Sequence, residues 1–138
     1  FPIALLVIGF ISEITSLFYK KDFLKNAAIY LLFIGAIGAI IAYISGSYAG
    51  KGIEEGPLKI PMELHENAAL ITLILAIITA LLKVSLFYFK YDNIWTKRLY
   101  ILLFTALTVA VLYTGYLGGQ LVYSHGAGVE LSLPAFNN

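Results

Sequence analysis

Four long apolar segments divide the chain, and they restrict its fold more than any other feature. Hydrophobic residues make up 60% of the 138 residues and charged residues only 12%, about half the charged fraction of a soluble domain. Each segment is long enough to cross a bilayer as a helix, which takes roughly 17–25 apolar residues. We therefore predict an all-α integral membrane protein with helices at about residues 1–19, 27–50, 64–89 and 99–125.

The basic residues predict how these helices are oriented. They are concentrated in the first and third connections: Lys20, Lys21 and Lys25, then Lys90, Lys97 and Arg98. Lys83 lies close enough to the third connection to extend its amine toward it. Because loops rich in lysine and arginine stay in the cytoplasm, we predict an antiparallel four-helix bundle in the bacterial inner membrane, with both termini and the slightly acidic second connection on the periplasmic side.

The composition of the chain excludes several classes of site and partner. The absence of cysteine excludes disulfides, zinc–thiolate sites and iron–sulfur ligation by this chain. A net charge of +1 argues against a nucleic-acid partner, and no constellation of catalytic residues is present, so we expect a non-catalytic subunit. Residues 1–128 form the predicted transmembrane domain, and residues 129–138 are expected to be an exposed connector to a further C-terminal region.

The chain has two histidines, His65 at the start of the third apolar segment and His125 at the end of the fourth. In an antiparallel pair of helices, these two positions lie at similar depth near the periplasmic face. Neutral imidazole is the commonest protein ligand of metals and a frequent axial ligand of haem iron. His65 and His125 are therefore the candidate ligands of a metal or of a haem.

Both histidines continue a helical face of small residues. The third helix carries Ala68, Ala69, Thr72, Ala76 and Ala80 on the His65 face, and the fourth carries Val122, Gly118, Gly115 and Val111 on the His125 face. Such faces let helix backbones approach closely in lipid, and they would also leave room for a flat macrocycle. Under the second interpretation, the residues around a cofactor are His65, His125, Gly115, Gly118, Ala69 and Thr72.

Glu13 is an ionisable residue inside the first apolar segment. Ionisable groups at such positions are costly and suggest a function. The interpretation we prefer is a polar end of the helix, with Glu13 protonated or hydrogen-bonded to a neighbouring helix. A proton path or a contact to a quinone head group is the alternative.

One motif resembles that of a known family. The segment GYLGGQLVYSHGAGV at residues 115–129 resembles the signature of a bacterial family of four-helix inner-membrane proteins that is largely a domain of unknown function. Residues 1–6 (FPIALL) are similar to the start of that family, and His65 with residues 67–69 (NAA) fits its third helix. The family resembles haem-b membrane cytochromes, and some members are fused to Rieske or c-type cytochrome domains. The resemblance implies haem ligation by His65 and His125, with clearance at Gly115 and Gly118, and it implies a further histidine directly before Phe1.

These observations lead to one functional expectation and two alternatives. We expect a membrane electron-transfer module that holds one bis-histidine haem b near the periplasmic face. It would pass electrons between quinol or a partner subunit and a periplasmic carrier such as a c-type cytochrome or a Rieske domain. The alternatives are a cofactor-free anchor or assembly subunit of a larger complex, and a histidine-ligated copper or zinc site.

Overall fold

The computed structural model describes residues 1–19, 21–51, 56–89 and 93–128. They form four helices, namely α1 (Pro2–Tyr19), α2 (Asp22–Gly50), α3 (Lys59–Phe89) and α4 (Ile94–Tyr123). Each helix is long and apolar enough to span a membrane. The all-α fold with four spans is therefore confirmed, whereas the sidedness of the termini stays a prediction. The expected connector at residues 129–138 lies outside the described residues.

Three helices begin earlier than the hydropathy pattern predicts. The helices α2, α3 and α4 start at Asp22, Lys59 and Ile94, about five residues before their predicted starts, because an apolar segment marks only the part of a helix that lies in hydrocarbon. Local chemistry supports the added turns. The side chain of Asn93 caps α4 by accepting a hydrogen bond from the Trp95 amide at 3.2 Å, and Pro61 lies in the first turn of α3, where a proline is tolerated.

The helices pack as a ring around a common core. Each helix packs on its neighbours in chain order and α1 also packs on α4, while the backbones of diagonal helices do not approach closely among the described residues. One end of the bundle carries His65 and His125 and is called here the histidine end; the opposite end carries Lys21, Lys97 and Arg98 and is called the lysine end. The largest fully buried side chains of the core are Phe104, Leu6, Leu32 and Leu107.

Small residues set the distance between α1 and α2. A Cβ atom added at Gly35 would lie 2.7 Å from Leu6 Cδ2 and 2.8 Å from Leu6 Cγ, so only glycine allows the two helices to pack this closely. Gly35 belongs to a stripe of small residues on α2 that continues through Gly38, Ala39, Ala42, Gly46 and Ala49. The far end of this stripe is not packed in the same way. A Cβ atom at Gly46 would meet no atom within 4 Å, and the face around it is exposed in this chain.

The outer surface of the bundle is apolar, as a lipid-facing surface requires. Aromatic side chains are exposed at the lysine end, namely Phe18, Tyr19, Phe87, Tyr88, Phe89 and Trp95. Aromatic residues are enriched where a membrane helix crosses the interface between hydrocarbon and water. Their position indicates that the bilayer boundary lies close to the lysine end of the helices.

Candidate functional site

His65 is held between α3 and α4 by a hydrogen bond to the backbone of the neighbouring helix. Its Nδ1 lies 3.1 Å from the carbonyl oxygen of Thr114. A carbonyl oxygen can only accept, so Nδ1 carries a proton and donates it. In the neutral imidazole, the other ring nitrogen, Nε2, then keeps its lone pair, and no described residue forms a hydrogen bond with it. A fixed Nδ1–H and a free Nε2 are the usual state of a histidine that binds a metal.

Close packing places the ring of His65 against Gly118. A Cβ atom at Gly118 would lie 3.1 Å from His65 Cε1, so the imidazole itself fills the clearance that the sequence predicts for a cofactor. About two turns along α3 from His65, Thr72 Oγ1 lies 2.9 Å from Thr114 Oγ1. Thr114 Oγ1 also donates to the carbonyl of Ala110, so the hydrogen bond between the helices runs from Thr72 to Thr114.

The other predicted clearance, at Gly115, is filled by α1. A Cβ atom at this position would lie 2.8 Å from Ile3 Cδ1. The predicted lining residues Ala69 and Thr72 are half-buried and buried, respectively, in the closed contact between α3 and α4. As packed, this groove does not have room for a macrocycle between the two helices. The small residues serve helix packing here, which is the first of the two interpretations that the sequence leaves open.

His125 lies in the turn that follows α4. Its Nδ1 lies 3.0 Å from the carbonyl oxygen of Gln120, and the same oxygen accepts hydrogen bonds from the amides of Ser124 and His125. Gly126 then adopts a left-handed conformation with φ of 65°, which ends the helix. The exposed imidazole of His125 thus adds a hydrogen bond to a carbonyl that already accepts the regular helical bond from the Ser124 amide.

The two imidazoles lie at the same end of the bundle, but they are held by carbonyls on different sides of α4. The carbonyls that hold them, at Thr114 and Gln120, are six residues apart on α4, which is about 9 Å along the helix and about 120° around it. Two histidines that share a metal need their nitrogen atoms within about 4 Å, because each metal–nitrogen bond is about 2 Å long. The face of α4 that continues from His125 also points away from the core at the histidine end, because Val122 is exposed while Leu117 and Leu121 are buried.

A second polar cluster lies near the lysine end, and the sequence pointed to only one of its members. Glu13 Oε1 lies 3.3 Å from Lys83 Nζ, and the same amine lies 4.1 Å from the ring centroid of Tyr100. The expectation that Lys83 extends toward the third connection is wrong, because its side chain turns inward to Glu13. A signal for the pair was available: both residues lie six positions before the ends of their helices, and hence at equal depth.

Three buried side-chain oxygen atoms on the helices that form this ion pair and its ring contact have no hydrogen-bond partner among the described residues. They are Glu13 Oε2, Thr79 Oγ1 and Tyr100 OH. Glu13 is 8% exposed, Tyr100 is 2% exposed and Thr79 is fully buried. Buried polar groups are nearly always hydrogen-bonded in proteins, so three such atoms in one region single it out from the rest of the core.

Four helices that are each long and apolar enough to span a membrane define an integral membrane helix-bundle protein. A comparison with protein-family models finds that residues 1–131 match the family described as Predicted membrane protein (DUF2231). The chain belongs to this family. No curated protein and no solved structure matches the chain.

Proposed function

We propose that the protein is a membrane electron-transfer subunit and that His65 ligates its redox centre, a haem b, at the histidine end of the bundle. The observation that carries the proposal is the geometry of the His65 ring. Thr114 holds its Nδ1–H, Gly118 supports its face, and the lone pair of Nε2 is left for a ligand. Electron transfer is the use that the resemblance to haem-b cytochromes implies.

The ligand set favours a haem over a bare copper or zinc ion. A protein site for zinc normally supplies three or four side chains, and the described parts of the chain contain no group of three or more His, Asp or Glu residues that could hold a metal. A haem supplies four equatorial nitrogens of its own and needs only one or two axial ligands from the protein. When bound, such an iron carries one electron by changing its oxidation state.

The packing of α3 against α4 limits where a haem can lie. Because Gly115 and Gly118 are already filled, the macrocycle would lie at the rim of the histidine end and not between these helices. We assign the ligand to His65 alone, because the imidazole of His125 is hydrogen-bonded within the turn that follows α4.

A redox centre at one end of the bundle restricts its partners to that side. The hydrocarbon core is about 30 Å thick, so one centre near an interface does not carry electrons across it. We propose that the protein exchanges electrons laterally, between quinol or a membrane partner subunit and a soluble carrier of the c-type cytochrome or Rieske class. If the histidine end faces the periplasm, as the basic residues predict, that carrier is periplasmic.

The proposal is tested on the protein purified in mild detergent from cells supplied with haem. We expect reduced-minus-oxidised visible spectra with the bands of a b-type haem, and a pyridine haemochrome assay that identifies haem b. His65→Ala should lose the spectrum, whereas His125→Ala is the matched control with an imidazole removed at the same end. Elemental analysis of the same samples separates a haem from a copper or zinc ion. Protein without haem or metal from such cells contradicts the proposal.

A cofactor-free anchor or assembly subunit is the second candidate, and one observation favours it. The close contacts at Gly115 and Gly118 are made by the protein's own side chains Ile3 and His65, so the bundle is well packed without a cofactor. In an anchor or assembly subunit, the role of His65 is to form the hydrogen bond between α3 and α4. His65→Ala should then reduce the stability of the bundle slightly and leave its optical spectrum unchanged.

A further inference from the structure

We propose that Glu13, Lys83 and Tyr100 form a proton-binding site in the core of the bundle, in which Glu13 binds and releases one proton from the water at the lysine end. The inference does not depend on a metal at His65. Lys83 is eighteen residues from His65, which is about 27 Å along α3, so the two sites lie near opposite ends of the membrane domain.

The depth of the cluster gives it access to one aqueous side. Glu13 and Lys83 lie six residues from the ends of α1 and α3, and Tyr100 lies six residues after the start of α4, so all three are about 9 Å inside the lysine end. The side chain of Lys83 is 20% exposed while that of Glu13 is 10% exposed. The buried carboxyl group thus lies about 9 Å from the end of the bundle that meets the water.

The surroundings of Glu13 contain few other charged groups. Glu13 is on α1, Lys83 reaches it from α3 across the diagonal of the bundle, and α4 contributes the phenol of Tyr100. The buried residues of α2 are alanine, leucine and glycine, so among the described residues this helix adds no titratable side chain to the core. The protonation state of Glu13 is thus decided mainly by Lys83 and by the nearby hydroxyl groups.

Lys83 has a second partner that allows Glu13 to become neutral. With Glu13 ionised, the ion pair has no net charge. When Glu13 binds a proton, an O–H bond forms on the carboxyl group, no electron moves, and one positive charge stays on Lys83. The ring of Tyr100, 4.1 Å from the amine, stabilises that charge through a cation–π interaction. Protonation of Glu13 therefore does not leave an isolated buried cation.

The second carboxyl oxygen of Glu13 is open to a proton. Oε1 faces the ammonium group of Lys83, whereas the buried Oε2 has no hydrogen-bond partner. The hydroxyl groups of Thr79 and Tyr100 are also buried and unpartnered, and neither is hydrogen-bonded to Oε2. Carboxyl groups inside membrane bundles are typical of proton relays.

The proposal is tested by infrared difference spectroscopy of the full chain in lipid nanodiscs, with haem and metal removed, while the pH is varied. A protonated carboxyl group has a C=O stretch of its own that shifts in D2O. Acidification also protonates the other carboxyl groups of the chain, so the comparison is between the wild type and each variant. We expect one band of the wild type to be missing in Glu13→Gln and to persist in Glu66→Gln, an exposed glutamate on α3. Identical difference spectra of the wild type and Glu13→Gln overturn the proposal.

Lys83→Met gives a second, independent readout if Glu13→Gln does not fold. Without the ammonium group, the buried carboxyl group has no ion-pair partner. The pH dependence of the band that is missing in Glu13→Gln should then differ from that of the wild type. If Lys83→Met shows the same pH dependence as the wild type, Lys83 does not control the proton on Glu13 and the proposed site is wrong.

Discussion

The close contact between α1 and α2 predicts a large difference between two glycine substitutions on one helix. In Gly35→Ala, the new Cβ would lie 2.7–2.8 Å from two atoms of Leu6, which must move by roughly 0.6 Å to reach an ordinary contact. Leu6 is fully buried and has no space to move into. Overpacking of this kind costs about 1–3 kcal/mol. In Gly46→Ala, the added methyl group meets no atom within 4 Å.

Because both positions are inside α2, the gain in helix propensity on replacing glycine, about 0.8–1 kcal/mol, is similar in the two variants and cancels in the comparison. Gly35→Ala should therefore be less stable than Gly46→Ala by about 1–3 kcal/mol, which is a change of about 5-fold to about 150-fold in the unfolding equilibrium. The measurement is reversible unfolding in mixed micelles of mild detergent and SDS, followed by far-ultraviolet circular dichroism. Equal stability of the two variants would refute the packing that we describe for α1 and α2.

Two further predictions concern polar contacts between helices. Thr72→Val removes the hydrogen bond to Thr114 and should destabilise the bundle by about 0.6 kcal/mol. The reference is Thr105→Val, which removes only a bond within α4. Equal unfolding curves of the two variants in mixed micelles would exclude the contact between Thr72 and Thr114. Lys83→Met leaves the buried carboxyl group of Glu13 without its cation and should cost about 3 kcal/mol. The double variant Glu13→Gln/Lys83→Met should recover most of this loss, and a double variant as unstable as Lys83→Met would show that the two side chains are not paired.

The sequence predicts the elements of this fold well, because a membrane helix must be a long apolar segment that satisfies its own backbone hydrogen bonds. The four helices follow from that constraint. Their starts do not, since Asp22, Lys59 and Ile94 lie in polar turns to which a hydropathy pattern is insensitive. The same pattern indicates which residues are apolar, but it does not show which faces pack. Gly35 is buried and Gly46 is exposed, although both belong to one stripe of small residues.

The sites are less predictable because they depend on the direction of individual side chains. The equal depth of His65 and His125 follows from topology, but their rings are bound to carbonyls on different sides of α4, which no helical pattern specifies. Lys83 illustrates the same limit. Its nearness to a helix end favours an extended side chain, and only the three-dimensional position of Glu13 shows that the amine turns inward.

The most direct test of the proposed function compares the optical spectra of His65→Ala and His125→Ala, both purified from cells supplied with haem. The structure holds the imidazole of His65 between two helices with Nε2 free, and it holds that of His125 at an exposed helix end. We predict that His65→Ala loses the b-type haem spectrum and that His125→Ala keeps its haem. Retention of the wild-type spectrum in His65→Ala would contradict the assignment of His65 as the ligand of the redox centre.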